Sequence, residues 1–252
     1  MGGHRSWAVP LAVLTTAVVV GAGAYAFGPA RSGSPGAPAG TAGADASPGP
    51  TTTAHVDARA ALSCAPGDHA AELATYLGAA DGATGCAAVA AFQRRYGITP
   101  ATGTADALTA DVARRLAVSG TPGEQVRCAA GTGLTACVDL TMQTMWILRD
   151  GAVVFGPTVV RTGMAGGYQT PPGTYRVDQR ATREWSHPYH VWLPYWQDFD
   201  AGIGFHETTT YLHNGSIGSH GCVNLLPADA VALWGTTATG TTVKVFGRRP
   251  GT

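Results

Sequence analysis

Near Leu134 the apolar residues change their period, and that change limits what the chain can become. Upstream they recur every three or four positions, as on one face of a helix; downstream they alternate or form short β-branched runs. Leu73, Tyr76 and Leu77 share a helical face with Asp68 as cap and Gly78 as stop. Val89, Phe92 and Tyr96 lead to Gly97, and Leu108, Val112 and Leu116 fall at every fourth position behind a cap near Thr104. Beyond the change, Val138-Asp139-Leu140 and Thr144 to Leu148 read as strands, and Asp150-Gly151 reads as the tight turn before a returning strand at Ala152 to Phe155. Further strands are expected at Thr158 to Arg161, Thr174 to Val177, Val191 to Trp196, Ile203 to His206 and Thr242 to Phe246. One helix, Pro227 to Trp234, has proline in its first turn and Gly235 after it. The expected architecture is a small all-α three-helix module over 59–120, followed by a mostly β domain with one or two short helices over 133–248.

Two segments precede these domains. Residues 1–27 hold Arg5 and an uncharged apolar run from Trp7 to Phe27 ending in Ala24-Tyr25-Ala26, which reads as a secretory signal peptide or an uncleaved N-terminal membrane anchor. Residues 28–58 are almost wholly Gly, Ala, Pro, Ser and Thr, a mixture too poor in apolar surface to offset chain entropy, and read as a flexible linker. Working outside the cytoplasm follows from either reading of the leader. Lys plus Arg and Asp plus Glu balance at 16 each, so the basic excess that would neutralise phosphates is missing and nucleic acid is excluded as a partner.

An oxidising compartment keeps structural thiols paired. Of five cysteines, Cys64 with Cys86 and Cys128 with Cys137 are close enough in sequence to pair locally, each worth about 2–4 kcal/mol if unstrained. Cys222 is left over.

Its neighbours explain it. His206, His213 and His220 all lie in the stretch leading to this thiol, and a thiol becomes a nucleophile once an imidazole takes its proton. His206 ends a β run and would be presented rigidly, so it ranks first as general base. His220, two residues from Cys222, ranks second as base, though its ring more easily lines a pocket than shares a proton, and His213, ranked third, reads as an exposed loop residue. The Gly221 and Cys222 amides are the candidates for an oxyanion hole, with Tyr195 as a side-chain donor. The aromatic run Tyr189, Trp192, Tyr195 and Trp196 is expected to line the cleft. Histidines seven residues apart do not match the short paired spacings of zinc sites, so no metal is expected, nor any cofactor.

His206 on a strand followed by Ser219-His220-Gly221-Cys222-Val223-Asn224 resembles the signature of the L,D-transpeptidase family, the YkuD-type catalytic domain. Val138-Asp139-Leu140 with the Asp150-Gly151 hairpin resembles its opening strands, and Thr170-Pro171-Pro172-Gly173-Thr174-Tyr175 resembles its T-P-x-G-x-[FY] element. The stretch Phe92-Gln93-Arg94-Arg95-Tyr96-Gly97-Ile98 resembles a peptidoglycan-binding-like helical module, either a wall binder or a spacer. The resemblance implies a β-sandwich and a two-step exchange on peptidoglycan stem peptides, through a thioester on Cys222 to a crosslink between third-position diacid residues. It also implies that the backbone carbonyl of Glu207 orients the base. Ser219 and Asn224 would hold the nucleophile loop, Asn224 with Tyr195 and Trp196 would touch substrate, and a carbapenem would add covalently to Cys222. Hydrolysis of the same stems and non-catalytic wall binding are the competing functions. A sortase is disfavoured, because its T-L-x-T-C element is absent.

Overall fold

A computed structural model describes residues 65–79 and 84–252. The leader at 1–27, the linker at 28–58 and Cys64, expected partner of Cys86, lie outside the described residues. Among the described residues no helix is long and apolar enough to cross a membrane.

The N-terminal part contains α1 (Ala70–Leu77), α2 (Cys86–Arg95), α3 (Ala107–Ser119) and the short α4 (Pro122–Arg127). Gly78 stops α1 in the left-handed region at φ 67°, as its position predicts. Two caps differ from expectation. His69 rather than Asp68 holds the N-cap of α1. Asp106 rather than Thr104 caps α3, accepting the Thr109 N–H at 2.8 Å. Gln93, fully buried, ties α2 to the loop before α3: its amide donates to the Thr104 carbonyl and accepts from the Gly103 N–H, both at 2.9 Å.

Nine strands follow: β1 (Leu134–Asp139), β2 (Thr144–Arg149), β3 (Ala152–Val159), β4 (Gly173–Arg176), β5 (Gln179–Ser186), β6 (Val191–Asp200), β7 (Ile203–Glu207), β8 (Val223–Leu225) and β9 (Thr242–Phe246). α5 (Pro227–Thr236) lies between β8 and β9. One sheet runs β3-β2-β1-β9-β4, the other β5-β6-β7-β8. Asp150 and Gly151 both take positive φ, 52° and 83°, as a two-residue hairpin turn between β2 and β3 requires. The expected strand at Thr158 to Arg161 is instead the end of β3 and the residues leaving it.

Strand periodicity decides what each face meets. From β1 and β2, Ala136, Val138, Met145 and Ile147 point into the main core with Phe199, Phe205, Val223, Leu225, Val243, Val245 and the α5 residues Ala230 and Leu233. Their alternates Cys137, Trp146 and Leu148 form a second cluster with Cys128 on the outer face. There the expected Cys128–Cys137 disulfide spans 5.6 Å between Cα atoms. It ties the end of α4 to β1.

The helices pack directly on this body. Ile98, Val112 and Leu116 share a core with Val159 and Leu212, against which Phe92, Tyr96, Leu108 and Leu226 also pack. Polar ties surround that seam. Arg95 donates two hydrogen bonds to buried Asp229 of α5, at 2.7 and 3.1 Å, and Asp229 also accepts from Thr158 Oγ1 at 2.6 Å. Ser119 and Thr144 share a hydrogen bond of 2.6 Å.

Candidate active site

β7 pairs in parallel with β8, bringing His206 level with Asn224 and Phe205 level with Val223. Cys222 immediately precedes β8, so the register puts the thiol and the imidazole on the wall of one cavity of about 300 Å³. His206 Nδ1 lies 2.7 Å from the Glu207 carbonyl, the orienting contact that the family resemblance implies. A carbonyl only accepts, so Nδ1 carries the proton and the Nε2 lone pair is left to act.

Nε2 is met by Asn224 Nδ2 at 2.8 Å. The orientation of that amide is fixed from its other side, where Asn224 Oδ1 accepts from Arg161 Nη2 at 2.8 Å and Nε at 3.2 Å. A guanidinium has no acceptor, so it forces the amide NH₂ toward the imidazole. The chain Arg161, Asn224, His206, Glu207 carbonyl therefore has one direction of donation throughout. Burial pushes the His206 pKa below its ordinary value, Arg161 adds to the fall, and the Glu207 carbonyl works against it.

The thiol is placed from the other side. Cys222 Sγ points at the Gly202 carbonyl, 3.8 Å away, rather than at Nε2. Gly202 sits in the β6–β7 turn, which buried Asp198 holds by accepting the N–H groups of Asp200 at 3.0 Å and Gly202 at 2.9 Å. Burial pushes the Cys222 pKa up and Asp198 reinforces the rise, against a Gly204 N–H that favours the thiolate. Both shifts favour the uncharged forms, thiol beside imidazole, as the resting pair. The thiol-to-imidazole hydrogen bond implied by ranking His206 as base is not made in this geometry.

The loop carrying Cys222 is held by its neighbours. Ser219 Oγ donates to the Cys222 carbonyl at 2.5 Å and receives the Gly221 N–H at 3.2 Å. That amide is therefore directed into the loop, a correction to its expected place in an oxyanion hole. Gly221 adopts φ 122°, which side-chain-bearing residues rarely take, and a Cβ there would come within 3.1 Å of Ile203. Thr170, from the T-P-P-G element, donates to the Gly221 carbonyl at 2.6 Å and accepts the Gly163 N–H at 2.9 Å. Arg249 donates to the carbonyls of Thr162, Ile217 and Gly215, fastening the segment before Ser219.

Of the aromatic run, Tyr189 lines the cavity and stacks on His220 at 4.3 Å between centroids, while Tyr168 meets the same ring edge-on at 4.6 Å. His220 thus lines the cavity between aromatic rings. Tyr195 and Trp196 are corrected. Tyr195 takes a positive φ of 55° and packs against the core and Trp234. Trp196 is buried, its ring 6.1 Å from that of His206. Neither lines the cavity. Trp192 stands exposed among Trp185 and Arg183. His213 is not an exposed loop residue: its Nε2 lies 2.6 Å from the Tyr96 carbonyl at the end of α2. Among the described residues no group of three or more His, Cys, Asp or Glu could hold a metal ion.

Sequence reasoning missed Arg161, Thr170 and Gly202 as parts of the site. Thr170 carried a signal, its family element, whereas Arg161 and Gly202 become visible once the chain is folded.

Fold and site together define a β-rich protein of two mixed sheets with a cysteine and a histidine on one cleft. The family model for the L,D-transpeptidase catalytic domain (YkuD) matches residues 134–245. The solved L,D-transpeptidase (Yku) from Stackebrandtia nassauensis is 49% identical, the match covering 75% of this chain and 96% of that one with a TM-score of 0.69. An L,D-transpeptidase from Enterococcus faecium is 28% identical over 45% of this chain and 50% of its own, with a TM-score of 0.39. One from Xylanimonas cellulosilytica is 21% identical over 63% and 92%, with a TM-score of 0.43. A search of curated proteins found no match. The chain belongs to the L,D-transpeptidase (YkuD) family.

Proposed function

We propose that this protein exchanges peptide bonds in peptidoglycan stem peptides outside the cytoplasm, with Cys222 as nucleophile and His206 as general base. The observation that carries the reading is His206, its Nδ1 held by the Glu207 carbonyl and its Nε2 unprotonated, on the wall of the same cavity that Cys222 lines. The thiol turns from the Gly202 carbonyl to Nε2, which exchanges Asn224 for the new donor, and the proton moves to the imidazole as sulfur attacks. Attack falls on the carbonyl carbon of the third, diacid residue of a tetrapeptide stem. The C–N bond to the terminal D-alanine breaks, and its nitrogen takes the proton from His206. An amine from a second stem then attacks the thioester, the C–S bond breaks, and the sulfur recovers a proton. With the Gly221 amide engaged by Ser219, the Cys222 amide is the main-chain group left for the oxyanion. A carbapenem would acylate the same sulfur.

Incubating the protein with tetrapeptide stems and weighing the products tests this. A crosslinked dimer with released D-alanine is expected. A tripeptide without dimer would replace the acceptor amine by water and make the enzyme a hydrolase, and no change in mass would leave a wall-binding protein.

Neutral thiol beside neutral imidazole also fixes a pH dependence. The raised thiol pKa leaves Cys222 protonated at neutral pH, and the lowered His206 pKa leaves the ring uncharged there. Iodoacetamide is expected to alkylate Cys222 more slowly at pH 7 than a free cysteine, with the rate climbing through and beyond the ordinary thiol range near ~8.5. A fast plateau reaching down to pH 5 would signal a preformed thiolate–imidazolium pair and contradict the resting state described above.

A further inference from the structure

Arg161 is a buried cation, about 5% exposed, whose guanidinium has no acidic side chain in ion-pair contact among the described residues. Burial disfavours its charged form, and its charged neighbour, a second buried cation, Arg249, adds to the effect. Buried charge of this kind is costly unless something opposes it. The protein supplies only dipoles: Asn224 Oδ1 takes Nε and one N–H of Nη2, and the Tyr211 carbonyl takes one N–H of Nη1 at 3.3 Å. One N–H on each terminal nitrogen is left over, two donors of the kind that bind a carboxylate. Arg161 forms part of the wall of the cavity that Cys222 and His206 also line.

We propose that Arg161 is the specificity-determining residue of the cleft, receiving the terminal α-carboxylate of the donor stem. The inference rests on the acyl-transfer reading above. Its geometry comes from Asn224, whose single amide group reaches from His206 Nε2 to the guanidinium. The departing nitrogen must lie at Nε2 to be protonated. In an α-amino acid leaving group the carboxylate is one carbon from that nitrogen, which keeps it within the one-amide span that separates His206 Nε2 from the guanidinium. The same contact orients the scissile bond between sulfur and base. A donor whose terminal carboxylate is blocked as an amide would leave the buried cation unopposed and be rejected.

The test uses the full chain carrying Cys222→Ala, so that binding is read without turnover. Titration calorimetry compares a tetrapeptide stem with a free terminal carboxylate and the same stem as its C-terminal carboxamide. The acid is expected to bind about tenfold or more tightly. Adding Arg161→Gln should bring the two Kd values together. Arg161→Lys keeps the charge but loses the planar fork, and should shrink the preference several-fold, which keeps the question decidable if the glutamine variant does not fold. Equal binding of acid and amide, no measurable binding of either, or a preference untouched by both Arg161 substitutions would each overturn the proposal. Product analysis with the unmodified protein separates the two readings. Crosslinking without an acid preference defeats the carboxylate site alone, and an Arg161-dependent preference without any product defeats the acyl-transfer reading alone.

Discussion

Cys222→Ala is expected to lower turnover of tetrapeptide stems by roughly a thousandfold or more, into the background of the assay, because Cys222 is the free thiol among the described residues and the hydroxyls that share its cavity are far weaker nucleophiles. Ser219, the nearest hydroxyl in the same loop, is committed to the Cys222 carbonyl and the Gly221 amide. The fold should survive, since the sulfur makes one weak contact at the Gly202 carbonyl. A melting midpoint within about 2 °C of the parent protein is the corresponding control. Crosslinked product from the alanine variant at an undiminished rate would remove Cys222 as nucleophile. Loss of product together with a collapsed melting transition would show the sulfur to be structural.

Asp229→Ala should cost about 2–3 kcal/mol of stability, which for a domain of this size lowers the thermal midpoint by roughly 5–10 °C. The carboxylate is almost wholly buried and accepts from Arg95 twice and from the buried Thr158 hydroxyl once. Removing it strands that hydroxyl and one end of the link between α2 and α5. Arg95 is 46% exposed, so water recovers part of its loss, and the expected figure is below that of a fully buried ion pair. Thermal melts of Asp229→Ala, Arg95→Ala and the double variant form a cycle that isolates the coupling. A loss under about 0.5 kcal/mol for Asp229→Ala would mean that the helices do not depend on this tie.

What could be read from the chain without coordinates followed periodicity and turn chemistry. β1 and β2 alternate cleanly because their two faces meet two different cores, and Asp150-Gly151 can turn a hairpin where few dipeptides can. β5 escaped notice because Gln179–Ser186 is polar and nowhere fully buried, so it shows no alternation. β8 escaped for the opposite reason, being three residues long and buried throughout. α4 buries no residue at all and therefore leaves no stripe. Within the site, Cys222 and His206 stood out because the histidine–thiol spacing and the S-H-G-C run carry chemical meaning in one dimension. Arg161 reads in sequence as one more residue of a strand, and its bond to Asn224 depends on a bridge between segments 63 positions apart. Tyr195 and Trp196 misled because an aromatic run just ahead of the histidine strand suggests a cleft, whereas β6 is an interior strand paired with β5 and β7. The bend at Tyr195 directs one ring into the core and leaves the other buried under His206.

His213 grips the last turn of α2 through the Tyr96 carbonyl, and the segment it begins runs straight to Ser219 and the nucleophile loop. Cutting the chain between Ser119 and Leu134, where the change of secondary structure invites a boundary, would therefore not liberate a self-sufficient catalyst. The excised β body would show Val159 and Leu212 to water, leave Asp229 without Arg95, and let go of the strap that steadies the approach to the thiol. Anyone preparing a minimal soluble version, or grafting this cleft onto another targeting segment, would need to carry α2 and α3 along as part of the machine.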